Sequence, residues 1–124
     1  MPTDPNPPVV LLVDDDAAVA HALKFSLELE GFEVRTFAEG EALLAEAGLP
    51  ERGCLVLDMN LPGADGLEVV RRLRERRVGL PAVLITTAPT PTLRARARAA
   101  GVPIVEKPLL GDALPDQVRR AVGV

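Results

Sequence analysis

The feature that most constrains the fold is a fivefold alternation of two kinds of segment. Short stretches typical of strands lie at residues 9–13, 33–37, 54–58, 82–86 and 103–106, and a stretch with helical spacing follows each of them. Strands that alternate with helices predict a parallel sheet with helices on both faces. The first run is wholly apolar, so that strand is predicted to be buried on both faces. The chain is therefore assigned to the α/β class.

Helix boundaries are predicted from capping residues, proline and glycine. The predicted helices span residues 17–30, 39–47, 66–77 and 92–100, and a last helix begins at Asp112. Asp65 is a candidate N-cap, and Gly31 suits a left-handed residue after a helix. A start at Asp112 places Pro115 in the first turn, where its missing N–H does no harm.

The composition fits one domain and argues against several classes of protein. The 124 residues are 48% hydrophobic, so residues 9–124 are predicted to form one domain after a flexible tail at residues 1–8. Trp and Tyr are absent and the net charge is −4, which argues against nucleic-acid binding by this domain. The sequence shows no membrane-length apolar run, no signal pattern and one cysteine, Cys54. We therefore expect a cytoplasmic protein without membrane contact.

Polar residues stand at the ends of four predicted strands. They are Asp14 and Asp15 after the first strand, Asp58 in the third, Thr86 in the fourth and Lys107 after the fifth. Parallel strands end at one edge of the sheet, where open α/β sheets bind ligands, so these side chains should meet. Clustered carboxylates repel one another, and Mg²⁺ relieves that repulsion because it prefers oxygen ligands, including those of phosphate. Asp58 is then a candidate nucleophile of the kind that forms acyl phosphates, with Lys107 and Thr86 binding phosphoryl oxygens.

Five motifs together resemble one family. They are residues 12–15, residues 57–63, Asp65 with Gly66, residues 85–86 and residues 106–108. With this order and spacing, the chain resembles the receiver domain of two-component response regulators from about residue 9 to residue 122. The resemblance implies a flavodoxin-like (βα)5 fold, a doubly wound parallel sheet with strand order 2-1-3-4-5.

The resemblance also implies a metal-dependent phosphoryl transfer. Asp58 would accept a phosphoryl group from the phosphohistidine of a sensor histidine kinase or phosphotransfer protein. Mg²⁺ would be held by the side chains of Asp15 and Asp58 and by the backbone carbonyl of Asn60, and Asp14 would act through a water. The chain would then be a phospho-accepting signalling domain rather than an enzyme, although it would assist its own phosphorylation and dephosphorylation.

Switching is implied at a second surface. Thr86 and Lys107 would bind the phosphoryl group, the Lys107–Pro108 peptide would be cis, and the surface formed by the fourth helix, fifth strand and fifth helix would change partner. A homodimer is possible, and the oligomeric state is left open. Two positions depart from the family pattern: Ile104 replaces the usual aromatic residue, and Thr87 replaces a very small one. Ring rotation therefore cannot couple the site to this surface, and Thr87 is expected to narrow access to Asp58.

Two other functions are weighed against the receiver function. A Mg²⁺-dependent phosphohydrolase generally needs a second carboxylate two residues after its nucleophile, and that position is Asn60 here. A pseudo-receiver that only binds partners would have lost an acidic residue, the threonine or the lysine, and none is lost. Arg94 and Arg98 are more readily interpreted as solvated surface charge than as a docking site. Because they lie four residues apart on one helix face, they are nevertheless the pair to test for docking. The sequence identifies neither the cognate kinase nor a following output domain.

Overall fold

The computed structural model describes residues 7–109 and 111–123. Its strands are β1 (Val9–Val13), β2 (Glu33–Phe37), β3 (Gly53–Asp58), β4 (Ala82–Thr86) and β5 (Ile104–Glu106). All pairs are parallel and the order is β2-β1-β3-β4-β5, which confirms the predicted α/β class and strand order. Residues 1–6 of the predicted tail lie outside the described residues. Pro8 is buried, and its carbonyl accepts a hydrogen bond from the Glu33 amide at 3.2 Å.

Helices cover both faces of this sheet. They are α1 (Ala17–Leu29), α2 (Gly40–Leu44), α3 (Gly66–Glu75), α4 (Pro91–Ala100) and α5 (Ala113–Val122). Successive strand residues alternate between two cores. Leu11 and Leu57 belong to the core shared with α2, α3 and α4, whereas Val10 and Val56 belong to the core shared with α1 and α5. The central strands are covered on both sides, which explains why they are continuous apolar runs.

Strand register places the polar strand ends at one level. Val13 pairs with Leu57, so Asp14 follows β1 beside the end of β3. Asp58 pairs with Ile85, and the next residue of β4 is Thr86. Thr86 pairs with Glu106, so Lys107 directly follows the same level on β5. The predicted meeting of four strand ends at one edge is therefore built into the hydrogen-bond ladder.

Helix and strand ends differ from prediction by small amounts, with one larger error. The predicted helix 39–47 is wrong at its end, because α2 stops at Leu44 and Ala45 is its C-cap. Gly48 and Pro50 follow closely, and neither favours helix continuation. Strand β5 begins at Ile104 rather than at residue 103, because Pro103 has no amide to donate, although its carbonyl accepts from the Leu84 amide at 2.9 Å.

Capping side chains fix the helices next to the predicted site. Asp16 accepts hydrogen bonds from the amides of Ala18 and Val19, and Asp65 accepts one from the Glu68 amide at 2.8 Å. These carboxylates lie at the amino ends of α1 and α3, shortly after the ends of β1 and β3. Within the described part of the chain, no helix is long and apolar enough to cross a membrane.

Candidate functional site

Three carboxylates meet at the carboxyl edge of the sheet. Asp14, Asp15 and Asp58 each offer one oxygen, and these oxygens lie within 4.8 Å of one another. Asp14 and Asp58 are buried, with 2% and 5% of their surface exposed, and Asp15 is exposed. Hard divalent cations bind clusters of carboxylate oxygens, and one open side leaves room for water or phosphate. This donor set fits Mg²⁺.

Asp14 gives the clearest evidence that the cluster suits a cation. Its Oδ1 accepts a hydrogen bond from the Asp16 amide at 2.9 Å, but its buried Oδ2 has no hydrogen-bond partner among the described residues. Burial raises the pKa of Asp14 above 3.8, and the charges of Asp58 and Asp15 raise it further against the opposing Asp16 amide and Lys107. An unsatisfied buried oxygen beside two other carboxylates favours a bound cation.

Asp58 is held at both carboxylate oxygens. Oδ1 accepts from the Asn60 amide at 3.0 Å, and Oδ2 accepts from Nζ of Lys107 at 2.7 Å. Burial lowers the pKa of Lys107, but the hydrogen bond to Asp58 and the neighbouring carboxylates outweigh that effect and raise it overall. Lys107 is therefore charged at neutral pH, and it partly neutralises the acidic cluster. The peptide between Lys107 and Pro108 is cis, which confirms that prediction.

Thr86 lies beside the cluster, but its hydroxyl points elsewhere. Its side chain is buried, and Oγ1 donates to the Thr87 carbonyl at 3.2 Å rather than to Asp58. Thr87 is exposed at the rim, and Ala88 has a φ of 40°, a left-handed conformation that costs energy for a residue with a Cβ. In this conformation the Thr86 hydroxyl is therefore engaged by the adjacent carbonyl rather than by the carboxylates.

The predicted switching surface contains two cavities separated by Ile104. One has a volume of about 400 Å³ and lies between α4 and β5, and the other has a volume of about 460 Å³ and lies between β5 and α5. Ile104 lines both cavities and is half-buried. Of the arginines predicted as a possible docking pair, Arg94 forms an ion pair with Glu106 at 2.6 Å. Arg98 is exposed and lines the first cavity.

Sequence reasoning missed an exposed apolar pair on α1. Phe25 and Leu29 are 63% and 73% exposed, and they stand one helical turn apart. The signal was present in their spacing, because neither belongs to the inward stripe formed by Val19, Leu23 and Leu27. The same helix begins two residues after Asp15, so the apolar pair belongs to an element that reaches the acidic cluster.

Comparison with known proteins agrees with the geometry. A family model described as "Response regulator receiver domain" matches residues 10–119. The chain is 39% identical over 116 residues to the C4-dicarboxylate transport transcriptional regulatory protein DctD of Pseudomonas aeruginosa, covering 93% of this chain and 25% of that protein. It is 32% identical over 114 residues to the transcriptional regulatory protein FixJ of Bradyrhizobium diazoefficiens, covering 91% and 56% respectively. The chain thus spans at most about half of these relatives.

Solved structures show the same fold. The structure of FixJ-N superposes with a TM-score of 0.86 at 30% identity, covering 95% of each chain. The response regulator StyR also gives 0.86, at 35% identity, covering 95% of this chain and 60% of that one. The chemotaxis protein CheY4 of Vibrio cholerae gives 0.80 at 25% identity, covering 94% of this chain and 99% of that one. These similarities confirm the flavodoxin-like fold predicted from the motifs.

Proposed function

The chain belongs to the response regulator receiver family, and on that premise we propose that Asp58 accepts a phosphoryl group from a phosphohistidine in a Mg²⁺-dependent reaction. The donor is a sensor histidine kinase or a phosphotransfer protein. The observation that carries this proposal is the environment of Asp58, a buried carboxylate within 4.8 Å of two others and hydrogen-bonded to Lys107. Because such kinases are phosphorylated by ATP, the reaction is proposed to take place in the cytoplasm.

The proposed transfer uses the residues in separate roles. A carboxylate oxygen of Asp58 attacks phosphorus, the bond from phosphorus to the donor imidazole nitrogen breaks, and the electron pair leaves with the imidazole. Lys107 exchanges its hydrogen bond with Asp58 for one to a phosphoryl oxygen. Thr86 rotates its hydroxyl from the Thr87 carbonyl toward the same group. The product is an acyl phosphate on Asp58.

The metal set follows the acidic cluster. The side chains of Asp15 and Asp58 and the backbone carbonyl of Asn60 would hold Mg²⁺, and Asp14 would act through a water. When bound, Mg²⁺ offsets the negative charge of the incoming phosphoryl oxygens. The partnerless buried oxygen of Asp14 and the mutual repulsion of the carboxylates support this assignment among the described residues.

Phosphorylation is proposed to switch the α4-β5-α5 surface. Thr86 pairs with Glu106 of β5, and Lys107 directly follows Glu106. A displacement of Thr86 or Lys107 toward the phosphoryl group is therefore transmitted to β5. An aromatic ring is absent from position 104, so the switch would use a shift of the half-buried Ile104, which lines an open groove on each side. The partner of this surface is a protein, including a second copy of the chain, rather than nucleic acid, because the net charge is −4.

The exposed side of α1 is proposed as the docking surface for the phosphodonor protein. Phe25 and Leu29 form an apolar pair on the helix that starts beside Asp15, and large exposed apolar residues mark interaction sites. A partner helix packed there holds its phosphohistidine near the rim of the site. Small-molecule donors need no such contact, which separates docking from chemistry in experiments.

Incubation with radiolabelled acetyl phosphate, with and without Mg²⁺, tests the proposed chemistry. We expect acid-stable, base-labile label on the wild type in the presence of Mg²⁺ and none on Asp58→Asn. Asp16→Asn is the matched control, because Asp16 is an exposed helix cap and Asn also caps helices. Absence of label from the wild type favours a pseudo-receiver, whereas repeated turnover of external phosphate esters favours a phosphohydrolase.

A further inference from the structure

Gly66, the first residue of α3, is in unusually close contact with the main chain of the phospho-acceptor. A Cβ atom at position 66 would lie 2.8 Å from the carbonyl oxygen of Asp58, 3.4 Å from its carbonyl carbon and 2.7 Å from Cδ1 of Leu84. The φ of Gly66 is outside the left-handed region, so backbone freedom does not explain the glycine. Alanine is moreover the better helix former. The reason for glycine is space.

We propose that Gly66 is a positioning residue for phosphoryl transfer, because its missing side chain lets α3 pack directly against the Asp58 peptide and so fixes the acceptor carboxylate. The inference rests on the proposed function of Asp58. Real Cβ contacts below 3.0 Å do not persist, so a side chain at this position must displace one of its neighbours.

The two peptide groups that follow Asp58 are each held by a hydrogen bond to a neighbouring element. The Met59 amide donates to the Ile85 carbonyl of β4 at 3.0 Å, and the Met59 carbonyl accepts from the Gly66 amide at 3.2 Å. The Asn60 amide in turn donates to Oδ1 of Asp58. A shift of this peptide therefore moves the carboxylate, its amide donor and the backbone carbonyl proposed to bind Mg²⁺.

The two close contacts that a Cβ at position 66 would make have different consequences. Leu84 can yield, because Cδ1 is the end of a side chain and a rotamer change moves it. The carbonyl of Asp58 belongs to a central strand, and it moves only with the residue that carries the nucleophile. The expected result of Gly66→Ala is therefore a displaced active-site carboxylate as well as a less stable protein.

A second glycine, at the amino ends of the strands rather than at their carboxyl ends, provides a matched control. A Cβ on Gly53, the first residue of β3, would lie 2.3 Å from the carbonyl oxygen of Val9. This conflict is also with the backbone of a central strand, but it lies at the amino end of β3, whereas Asp58 ends that strand. Gly53→Ala should destabilise the fold and leave the geometry around Asp58 unchanged.

The experiment compares wild type, Gly66→Ala and Gly53→Ala in three assays. Urea unfolding followed by circular dichroism gives stability, titration calorimetry gives Mg²⁺ affinity, and acetyl phosphate labelling gives the phosphorylation rate. Both variants should lose stability. After correction for the folded fraction, only Gly66→Ala should lose Mg²⁺ affinity and labelling rate, each by roughly tenfold or more, because small displacements of reacting groups cost such factors.

A double variant separates the two contacts of Gly66. Leu84→Val removes the Cδ1 atom, so Gly66→Ala with Leu84→Val retains only the conflict with the Asp58 carbonyl and should fold more stably. Persistent loss of Mg²⁺ affinity in the double variant supports the inference, and recovery to the level of Leu84→Val alone overturns it.

Failure of both alanine variants to fold also overturns it, since Gly66 would then serve the fold as a whole. Equal behaviour of Gly66→Ala and Gly53→Ala refutes only this inference, whereas an unlabelled wild type refutes the proposed function itself.

Discussion

Replacing Asp14 by Asn should stabilise the protein in the absence of metal. Asp14 is 2% exposed, one of its carboxylate oxygens has no hydrogen-bond partner among the described residues, and Asp58 lies nearby. Asn keeps the oxygen that accepts from the Asp16 amide and removes the charge. Its NH₂ group can donate hydrogen bonds to the neighbouring carboxylates, which can only accept them.

The magnitude follows from two effects that favour the variant and one that opposes it. Two full charges at the upper limit of 4.8 Å that separates these oxygens repel by roughly 3 kcal/mol at an effective dielectric constant of about 20. An unsatisfied buried oxygen costs a further ~1–3 kcal/mol. The variant also loses the attraction between Asp14 and Lys107, which offsets most of the first gain. A net increase of about 1–3 kcal/mol in the free energy of unfolding remains, and each kcal/mol is equivalent to roughly 4 °C in Tm for a domain of this size.

The pH dependence of this gain has a definite sign. Burial raises the folded-state pKa of Asp14 above the unfolded value of 3.8, so the native state favours the protonated carboxyl. The wild type therefore loses stability relative to Asp14→Asn as pH rises from 3.8 through the raised pKa. The difference between the two proteins should be largest at neutral pH and should vanish as pH falls toward 3.8.

Urea unfolding followed by circular dichroism measures the effect, because the chain has no Trp or Tyr for fluorescence. Mg²⁺ should narrow the difference in stability between the two proteins. A ligand of the folded state stabilises the protein that binds it more tightly, and that protein is the wild type with all three carboxylates. Asp16→Asn is the control, and it should change stability little because Asn also caps helices. A less stable Asp14→Asn variant without Mg²⁺ at pH 7 would refute the reasoning that the carboxylates repel one another in the folded protein.

Three further outcomes are expected. Thr87→Ala should speed both acetyl phosphate labelling of Asp58 and its hydrolysis by roughly several-fold, because the exposed side chain at the rim is removed; unchanged rates in both directions would contradict this. Replacing Phe25 and Leu29 by Ser should slow transfer from a histidine kinase by roughly tenfold while labelling by acetyl phosphate stays the same, and an equal loss with both donors would exclude docking on α1. Burial raises the pKa of Cys54 to about 12, so Ellman's reagent should react with it only as the protein unfolds in urea; rapid reaction of the native protein would show that the thiol is accessible.

The sequence pattern predicted the parallel sheet and the edge at which its polar residues lie, and the resemblance to the receiver family supplied the strand order. Apolar strands that end in Asp14, Asp58 and Thr86 specify both the parallel sheet and the edge at which these residues meet. Long-range proximity could therefore be predicted from local patterns.

Contacts that depend on tertiary packing could not be predicted in this way. The hydroxyl of Thr86 bonds to the adjacent Thr87 carbonyl, a choice between rotamers that no spacing specifies. The close approach of Gly66 to Asp58 requires coordinates, because a glycine in a motif does not reveal whether it provides backbone freedom or space.

Identifying the phosphorylated residue tests the central claim most directly. The chain is incubated with acetyl phosphate and Mg²⁺, the acyl phosphate is reduced with borohydride, and the modified residue is located by peptide mass spectrometry. The account predicts homoserine at position 58, with none when Mg²⁺ is chelated and none in the Asp58→Asn variant. Homoserine at Asp14 or Asp15, or an unmodified wild-type chain that nevertheless binds Mg²⁺, would contradict it.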